Sequence, residues 1–215
     1  MNWATFEQQL AQKLQERVSD VSEEPDFPDI ELMYIAEDIT DLYHQVAISS
    51  VEGTLITFKR PLTPIGTGLL TGAKGGIQAA IFASLKTMQL TNIKPNMAIM
   101  SPIGAAVVAY WGAAAVPGSI SRFPAPTQYA VLSTPLPGSL LFFPGNPISV
   151  TNGFKNAFTR NFNTDSQEQA YKDMASDIRK GLEQHMLSIA GAYIGLVPGT
   201  PPFPLPTPWT GMRPL

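Results

Sequence analysis

Proline most limits what this chain can fold into, because its ring breaks helix interiors and removes a backbone donor from strands. Six prolines lie in residues 119–150 and seven in residues 198–215, out of 20 in the chain. The first stretch is therefore predicted to be a loop or strand-like connection. The second is predicted to be an extended arm that cannot be helical. The predicted helices therefore lie outside these two stretches.

Apolar residues recur at spacings of three and four between these stretches, which is typical of amphipathic helices. The pattern predicts helices over 2–19, 30–48, about 74–88, about 102–115, from about 150, and about 165–195. The fourth is expected to start with Ser101 as its cap and Pro102 in its first turn. Residues 53–60 fit a short extended segment.

The predicted fold class is therefore mainly α, with five or six helices, long Pro/Gly-rich connections and little sheet. The apolar stripes predict a core that includes Ile81, Leu85, Val107, Tyr110, Ile178 and Leu182. We divide the chain into an acidic N-terminal helical region (1–60), a helical body (61–197) and a Pro-rich C-terminal arm (198–215).

The helical body contains an internal similarity between about 61–126 and 135–208. Residues 76–81 (GIQAAI) resemble 153–158 (GFKNAF), and residues 109–119 resemble 190–200, each ending in Val-Pro-Gly-Ser/Thr. A degenerate duplication of a two-helix unit is one interpretation. Chance similarity between stretches rich in alanine and glycine is the other.

Charge is scarce and unevenly distributed. Charged residues make up 14% of the chain, against roughly 25% in typical soluble domains. Residues 1–52 hold 12 of the 17 acidic residues, whereas residues 53–164 hold eight basic residues and no acidic ones. The basic residues are scattered singly, which disfavours nucleic-acid binding. Complementary faces on neighbouring copies of one subunit fit this distribution better, because charge sets orientation between partners.

Residues that could carry chemistry are few. The chain has no cysteine and two histidines, His44 and His185, both on predicted helices. Metal sites usually draw three or four ligands from His, Cys, Asp and Glu. Asp38 and Asp41 lie near His44 in sequence, and we interpret the three as a solvated helix face. No catalytic residue, no metal site, no cofactor and no small-molecule substrate is predicted.

The glycine-rich segment 66–76 (GTGLLTGAKGG) has some of the character of a phosphate-binding loop. Such loops need Gly-Lys-Ser/Thr entering a helix, so that the lysine and the hydroxyl reach phosphate and magnesium. Here Lys74 is followed by Gly75 and Gly76. We therefore interpret the segment as a flexible turn before the third helix.

Residues 95–121 carry no charge, and a membrane span needs about 20 strongly apolar residues. Three prolines interrupt this stretch, and alanine and glycine dominate it, so a buried helix is the favoured interpretation. A membrane-active pore or lysis protein built on 95–121 remains an alternative. A second alternative is an enzyme or ligand-binding domain with an unrecognised pocket.

Four segments carry a resemblance to a known class of proteins. They are residues 36–44 (AEDITDLYH), residues 66–76, Ala109-Tyr110-Trp111, and the ending from Leu196 to Gly211. Together they resemble small virion structural proteins of contractile-tailed phages, notably those of cyanobacteria, over most of the chain from about residue 32 onward. The resemblance implies a structural subunit of the neck, tail or baseplate, or a capsid-associated one. Its implied partners are copies of itself and other virion proteins, in a particle assembled in the host cytoplasm. It supplies no catalytic residues.

The C-terminal arm is expected to bind another chain or another domain, and it is the predicted assembly interface. Its prolines hold it extended, so ordering it on a partner costs little conformational entropy. Aromatic residues and arginine are enriched at the energetic centres of interfaces. The residues that we assign to the interface are Phe203, Leu205, Trp209 and Arg213. A disordered tail is the alternative.

Overall fold

The computed structural model describes the backbone of residues 1–19, 29–48, 51–55, 60–62, 68–114, 130–131, 142–143, 145–159, 167–196 and 205–214. Side chains are described for residues 1–17, 29–48, 73–112, 145–159 and 168–190. Within these ranges the chain is mainly helical, as predicted. The described helices are α1 (Trp3–Ser19), α2 (Asp29–Ile48), α3 (Gly68–Thr91), α4 (Met97–Ala114), α5 (Pro147–Thr159) and α6 (Gln167–Ser188).

Asparagine caps three of these helices. Its side-chain oxygen accepts a hydrogen bond from a backbone N–H that the first turn leaves without a helical partner. Asn2 Oδ1 lies 2.9 Å from the N–H nitrogen of Thr5 at the start of α1. Asn96 and Asn146 do the same for α4 and α5, at 3.1 and 2.9 Å. These caps fix where each helix begins.

Helix α4 begins five residues before the predicted start, so the assignment of Ser101 as its cap is wrong. Asn96 is the cap, and Pro102 lies inside the helix. Proline has no N–H to donate to the carbonyl four residues earlier, which belongs to Ala98. The Ser101 hydroxyl donates to that carbonyl at 3.1 Å instead. The Ser-Pro pair therefore lets the helix continue through the proline.

The six helices form a closed ring around one core. Each helix packs against the next, and α6 packs against α1. An ion pair joins α6 to α1, with Arg179 Nε 2.6 Å from Glu7 Oε2. The predicted core residues Ile81, Leu85, Val107, Tyr110, Ile178 and Leu182 are all buried. Helix α4 comes from the uncharged stretch 95–121, and its apolar side packs between α3 and α5.

Glycine allows the closest helix contacts. A Cβ atom on Gly153 of α5 would lie 2.9 Å from Gly181 Cα of α6, and a Cβ atom on Gly181 would lie 2.8 Å from the Ser149 carbonyl oxygen. Carbon atoms at such distances overlap, so the two backbones can meet here only because neither residue has a side chain. Gly104 of α4 approaches Pro147 of α5 in the same way.

Short antiparallel strands accompany the helices. They are β1 (Val51–Leu55), β2 (Arg60–Leu62), β3 (Ala130–Val131), β4 (Phe142–Phe143), β5 (Ala190–Leu196) and β6 (Leu205–Pro214). The order is β2-β1-β6-β5-β3, and β4 also pairs with β5. Pro206 and Pro208 of β6 lie opposite β5, and β1 joins β6 only from Trp209 onward. The two prolines therefore occupy a part of β6 with a single neighbouring strand, where a missing N–H is tolerated.

The end of the last helix differs from the prediction, because α6 stops at Ser188 and residues 190–196 form β5. Gly191 and Gly195 disfavour a helix interior, whereas Tyr193 and Ile194 favour a strand. β6 pairs with β5 from Ala190 to Gly195. Residues 76–81 and 153–158 are both helical, but residues 109–114 are helical where residues 190–196 are extended. The similarity of the second pair of segments does not extend to their secondary structure.

Candidate functional site

His44 was interpreted as part of a solvated face, and this interpretation is wrong. The His44 side chain is buried, with Nδ1 2.8 Å from the Tyr110 hydroxyl of α4. Asp38 is buried as well, and its carboxylate pairs with Lys13 at 2.5 Å and Arg17 at 3.2 Å. Helix α1 supplies the two cations that pair with Asp38, and α4 supplies the hydroxyl group that contacts His44.

His44 belongs to an aromatic cluster and contacts it through Tyr110. We use this name for Trp3 of α1, Tyr43 and His44 of α2, and Tyr110 and Trp111 of α4. The Trp111 indole Nε1–H donates to the Tyr43 hydroxyl at 2.6 Å. Trp3 stacks on Tyr43 at 6.4 Å, and the Tyr110 and Trp111 rings meet edge to face at 5.7 Å. Aromatic contacts of this kind add about 0.5–1.5 kcal/mol beyond the area they bury.

Burial sets the protonation states in the aromatic cluster. It raises the pKa of Tyr43 and of Tyr110 far above the ordinary value of 10, so both phenols keep their protons. It also lowers the pKa of His44, an effect that Lys74 reinforces and Asp41 opposes. Tyr43 and Tyr110 are each 1% exposed, so their hydroxyl groups lie away from any substrate in solvent. We therefore assign the cluster to holding α2 against α4.

The lowered pKa of His44 makes stability depend on pH. The folded state favours the neutral form of His44. The contribution of His44 to the free energy of unfolding is therefore complete above its unfolded-state pKa near 6.5, and it is lost as the pH falls from there through the lower pKa of the folded state. We expect the free energy of unfolding, measured by denaturant titration, to fall as pH drops below 6.5. A His44→Gln variant removes this titration. An equal loss of stability in wild type and variant over the same pH range would contradict the prediction.

The glycine-rich segment is helical from Gly68 onward, so the flexible turn predicted there is wrong for residues 68–76. Lys74 Nζ lies 2.8 Å from Asp41 Oδ1, and Lys86 Nζ lies 2.5 Å from Asp29 Oδ2. Two basic residues of the 53–164 region thus pair with acidic residues of the 1–52 region within the same chain. These ion pairs align α3 antiparallel to α2.

The predicted interface residues fall at the end of the sheet. Leu205, Trp209 and Arg213 lie in β6, opposite Gly195 of β5, Gly191 of β5 and Glu52 of β1 respectively. Phe203 lies outside the described residues, and the other three are described only by their backbone. β6 is extended, as expected for the arm. Contact of these side chains with another chain stays a prediction.

Three further features bear on the alternative functions. In the described ranges no group of three or more His, Asp or Glu side chains is placed to hold a metal ion. None of the described helices combines the length and the apolar character needed to cross a membrane. An open groove between α1 and α6 is lined mainly by glutamine and alanine, with the Lys172–Glu168 ion pair at its side.

Sequence reasoning missed an exposed apolar surface at one end of the helical ring. Leu90, Ile93 and Met97 lie at the turn between α3 and α4, and Leu90 is 73% exposed. Ile30 and Met33, in the first turns of α2, are exposed as well, and the contact between Asp29 and Lys86 places the start of α2 near the end of α3. We call these five residues the α3–α4 tip. Their spacing was a usable signal, since Leu90 and Ile93 fall outside the stripe that buries Ile77, Ile81 and Leu85.

Comparison of the chain with protein-family models, with curated proteins and with solved structures finds no match in any of the three.

Proposed function

We propose that this chain is a structural subunit of a tailed-phage virion that acts through protein–protein assembly. We favour a position in the neck, tail or baseplate of the virion, with a capsid-associated position as the alternative. The observation that supports an assembly role most directly is that five large apolar side chains are exposed at the α3–α4 tip, although the six helices already enclose a common core. Exposed apolar patches of this kind mark interaction sites.

The composition supports the same proposal. A chain with 14% charged residues has few groups to keep a large surface in solvent, and partners in an assembly cover such a surface. We propose a virion as the assembly because residues 36–44, 66–76 and 109–111 resemble virion proteins of contractile-tailed phages. Its partners would be copies of itself and other virion proteins.

The arm prediction is tested by substitution at Trp209. Trp209→Ala keeps the backbone pairing of β6 but removes an anchor, which typically weakens an interface by about 2 kcal/mol, or roughly 30-fold. We expect fewer copies per particle when the variant competes with wild type during assembly. Copy number is read by quantitative mass spectrometry of purified particles.

Trp209→Phe is the matched control, since it keeps an aromatic ring, and it should be incorporated nearly as well as wild type. Deleting residues 198–215 is a less clean change, because it also removes β6 from the sheet of its own chain. Thermal melts of both Trp209 variants check that the helical body remains folded. Equal incorporation of Trp209→Ala and wild type would contradict an interface role for the arm.

A further inference from the structure

We propose that the α3–α4 tip is a docking surface for a second copy of this chain, forming a two-fold symmetric contact. The inference rests on the proposed function, because it names one partner within the assembly. Three features support it: hydrogen bonds within the chain hold the turn, an ion pair places the exposed apolar residues of α2 near those of α3, and exposed groups of both charges adjoin these residues in sequence.

The turn is held in one conformation by its own bonds. Asn92 adopts a left-handed conformation (φ 48°) directly after α3, which asparagine tolerates better than most residues. Asn96 caps α4 four residues later, and the Ser84 hydroxyl ties α3 to α4 by donating to the Ile99 carbonyl at 2.9 Å. Pro95 restricts the chain between them. Little conformational freedom remains to be lost on docking.

The two parts of the apolar surface are brought together by an ion pair. Lys86 of α3 contacts Asp29 of α2 at 2.5 Å. Leu90 lies one helical turn beyond Lys86, and Ile30 directly follows Asp29. Because residues four apart share a helix face, the pairing places the end of α3 beside the start of α2. The exposed side chains of both helices therefore occupy the same end of the ring.

The charges around the tip select the partner. Lys94 is exposed and forms no ion pair with any described residue. Asp29 is also exposed, and its carboxylate has room for a second cation besides Lys86. In a two-fold contact through the apolar residues, Lys94 of one copy would attract Asp29 of the other at the edge of the contact. An anionic lipid surface fits less well, because it would repel Asp29 and Glu31.

In the proposed contact Leu90 and Ile93 of both copies fill the centre. Lys94 of each copy lies against Asp29 of the other, once on each side of the two-fold axis. A contact between identical patches closes after two copies, so it gives a discrete dimer and not an open filament. The arm and the remaining surface stay available for other virion proteins.

The test is the oligomeric state of the full chain, followed by sedimentation equilibrium at protein concentrations up to about 1 mM. We expect a monomer–dimer equilibrium for wild type. Leu90→Asn with Ile93→Asn should raise the dissociation constant about tenfold or more. Leu187→Asn, at an exposed apolar residue at the end of α6, is the matched control and should leave it unchanged. Thermal melts confirm that each variant is folded.

Charge reversal tests the geometry. Lys94→Glu alone should weaken the dimer, and so should Asp29→Lys combined with Lys86→Glu, which keeps the ion pair between α2 and α3 with opposite sign. The variant with all three changes should recover most of the affinity, because the charges that face each other between the copies are again opposite. A monomeric wild type, or dimerisation unaffected by the Leu90 and Ile93 changes, would overturn the inference. Binding to anionic vesicles by a monomeric chain would assign the tip to a membrane instead. Each of these results leaves virion incorporation, the test of the proposed function, as a separate measurement.

Discussion

We expect Gly181→Ala to lower the free energy of unfolding by about 2 kcal/mol, although alanine has a higher helix propensity than glycine. The new methyl group would lie 2.8 Å from the Ser149 carbonyl oxygen and 2.9 Å from Gly153 Cα, both backbone atoms that no rotamer change can move. α5 and α6 must separate, and overpacking of this kind costs about 1–3 kcal/mol, occasionally more. The gain in helix propensity, about 1 kcal/mol, offsets only part of it.

Gly76→Ala is the control for this substitution. Gly76 is an exposed residue of α3, and a Cβ atom added there meets nothing within 4 Å. We expect Gly76→Ala to be neutral or to stabilise by about 0.5–1 kcal/mol. Both values come from denaturant titration with an unchanged slope. If Gly181→Ala were as stable as Gly76→Ala, the close contact of α5 and α6 would be contradicted.

Of the substitutions proposed, Trp111→Ala should have the largest effect, lowering the free energy of unfolding by about 4 kcal/mol. Trp111 is almost fully buried, and its ring contacts Tyr110 edge to face. The substitution leaves a large cavity between α2 and α4 and removes the donor that binds the Tyr43 hydroxyl. Since domains are stable by only about 5–15 kcal/mol, much of the chain's stability would be lost.

Tyr43→Phe separates the hydrogen bond from the packing. It keeps the ring but leaves the Trp111 indole N–H buried without its acceptor, which costs about 1–3 kcal/mol. Leu90→Ala, at a largely exposed apolar residue, is the control and should change stability by less than about 0.5 kcal/mol. A Trp111→Ala variant as stable as Leu90→Ala would contradict the aromatic cluster as the junction of α2 and α4.

Local pattern was enough to predict the helices with strong periodicity. α1 and α2 begin within one residue of the positions predicted from their apolar spacing, and they end where predicted. Core positions such as Ile81 and Ile178 followed from the same spacing. The start of α4 was harder to predict, because Asn96 and the Ser101-Pro102 pair are equally plausible starts in the sequence. The hydrogen bond from the Ser101 hydroxyl to the Ala98 carbonyl, which Pro102 leaves without its helical donor, is not expected from local rules.

What the sequence could not supply depends on residues distant along the chain. His44 is buried because Tyr110, 66 positions later, provides its hydrogen-bond partner. Residues 190–196 extend into a strand because β6 pairs with them, whereas their apolar spacing alone fits a helix. The spacing of Leu90 and Ile93 indicates their exposure, but only the pairing of Lys86 with Asp29 shows that the start of α2 lies near them. Each miss is a case of tertiary context overriding local preference.

The protein composition of purified particles tests most directly our proposal that the chain is a virion component. The test uses gradient-purified virions of a tailed phage whose genome carries this coding sequence, washed in high salt and analysed by quantitative mass spectrometry. We predict that the chain is present at a fixed number of copies per particle, in proportion to a known tail or neck protein. Its absence from washed particles, while it is abundant in the infected-cell lysate, would contradict the claim.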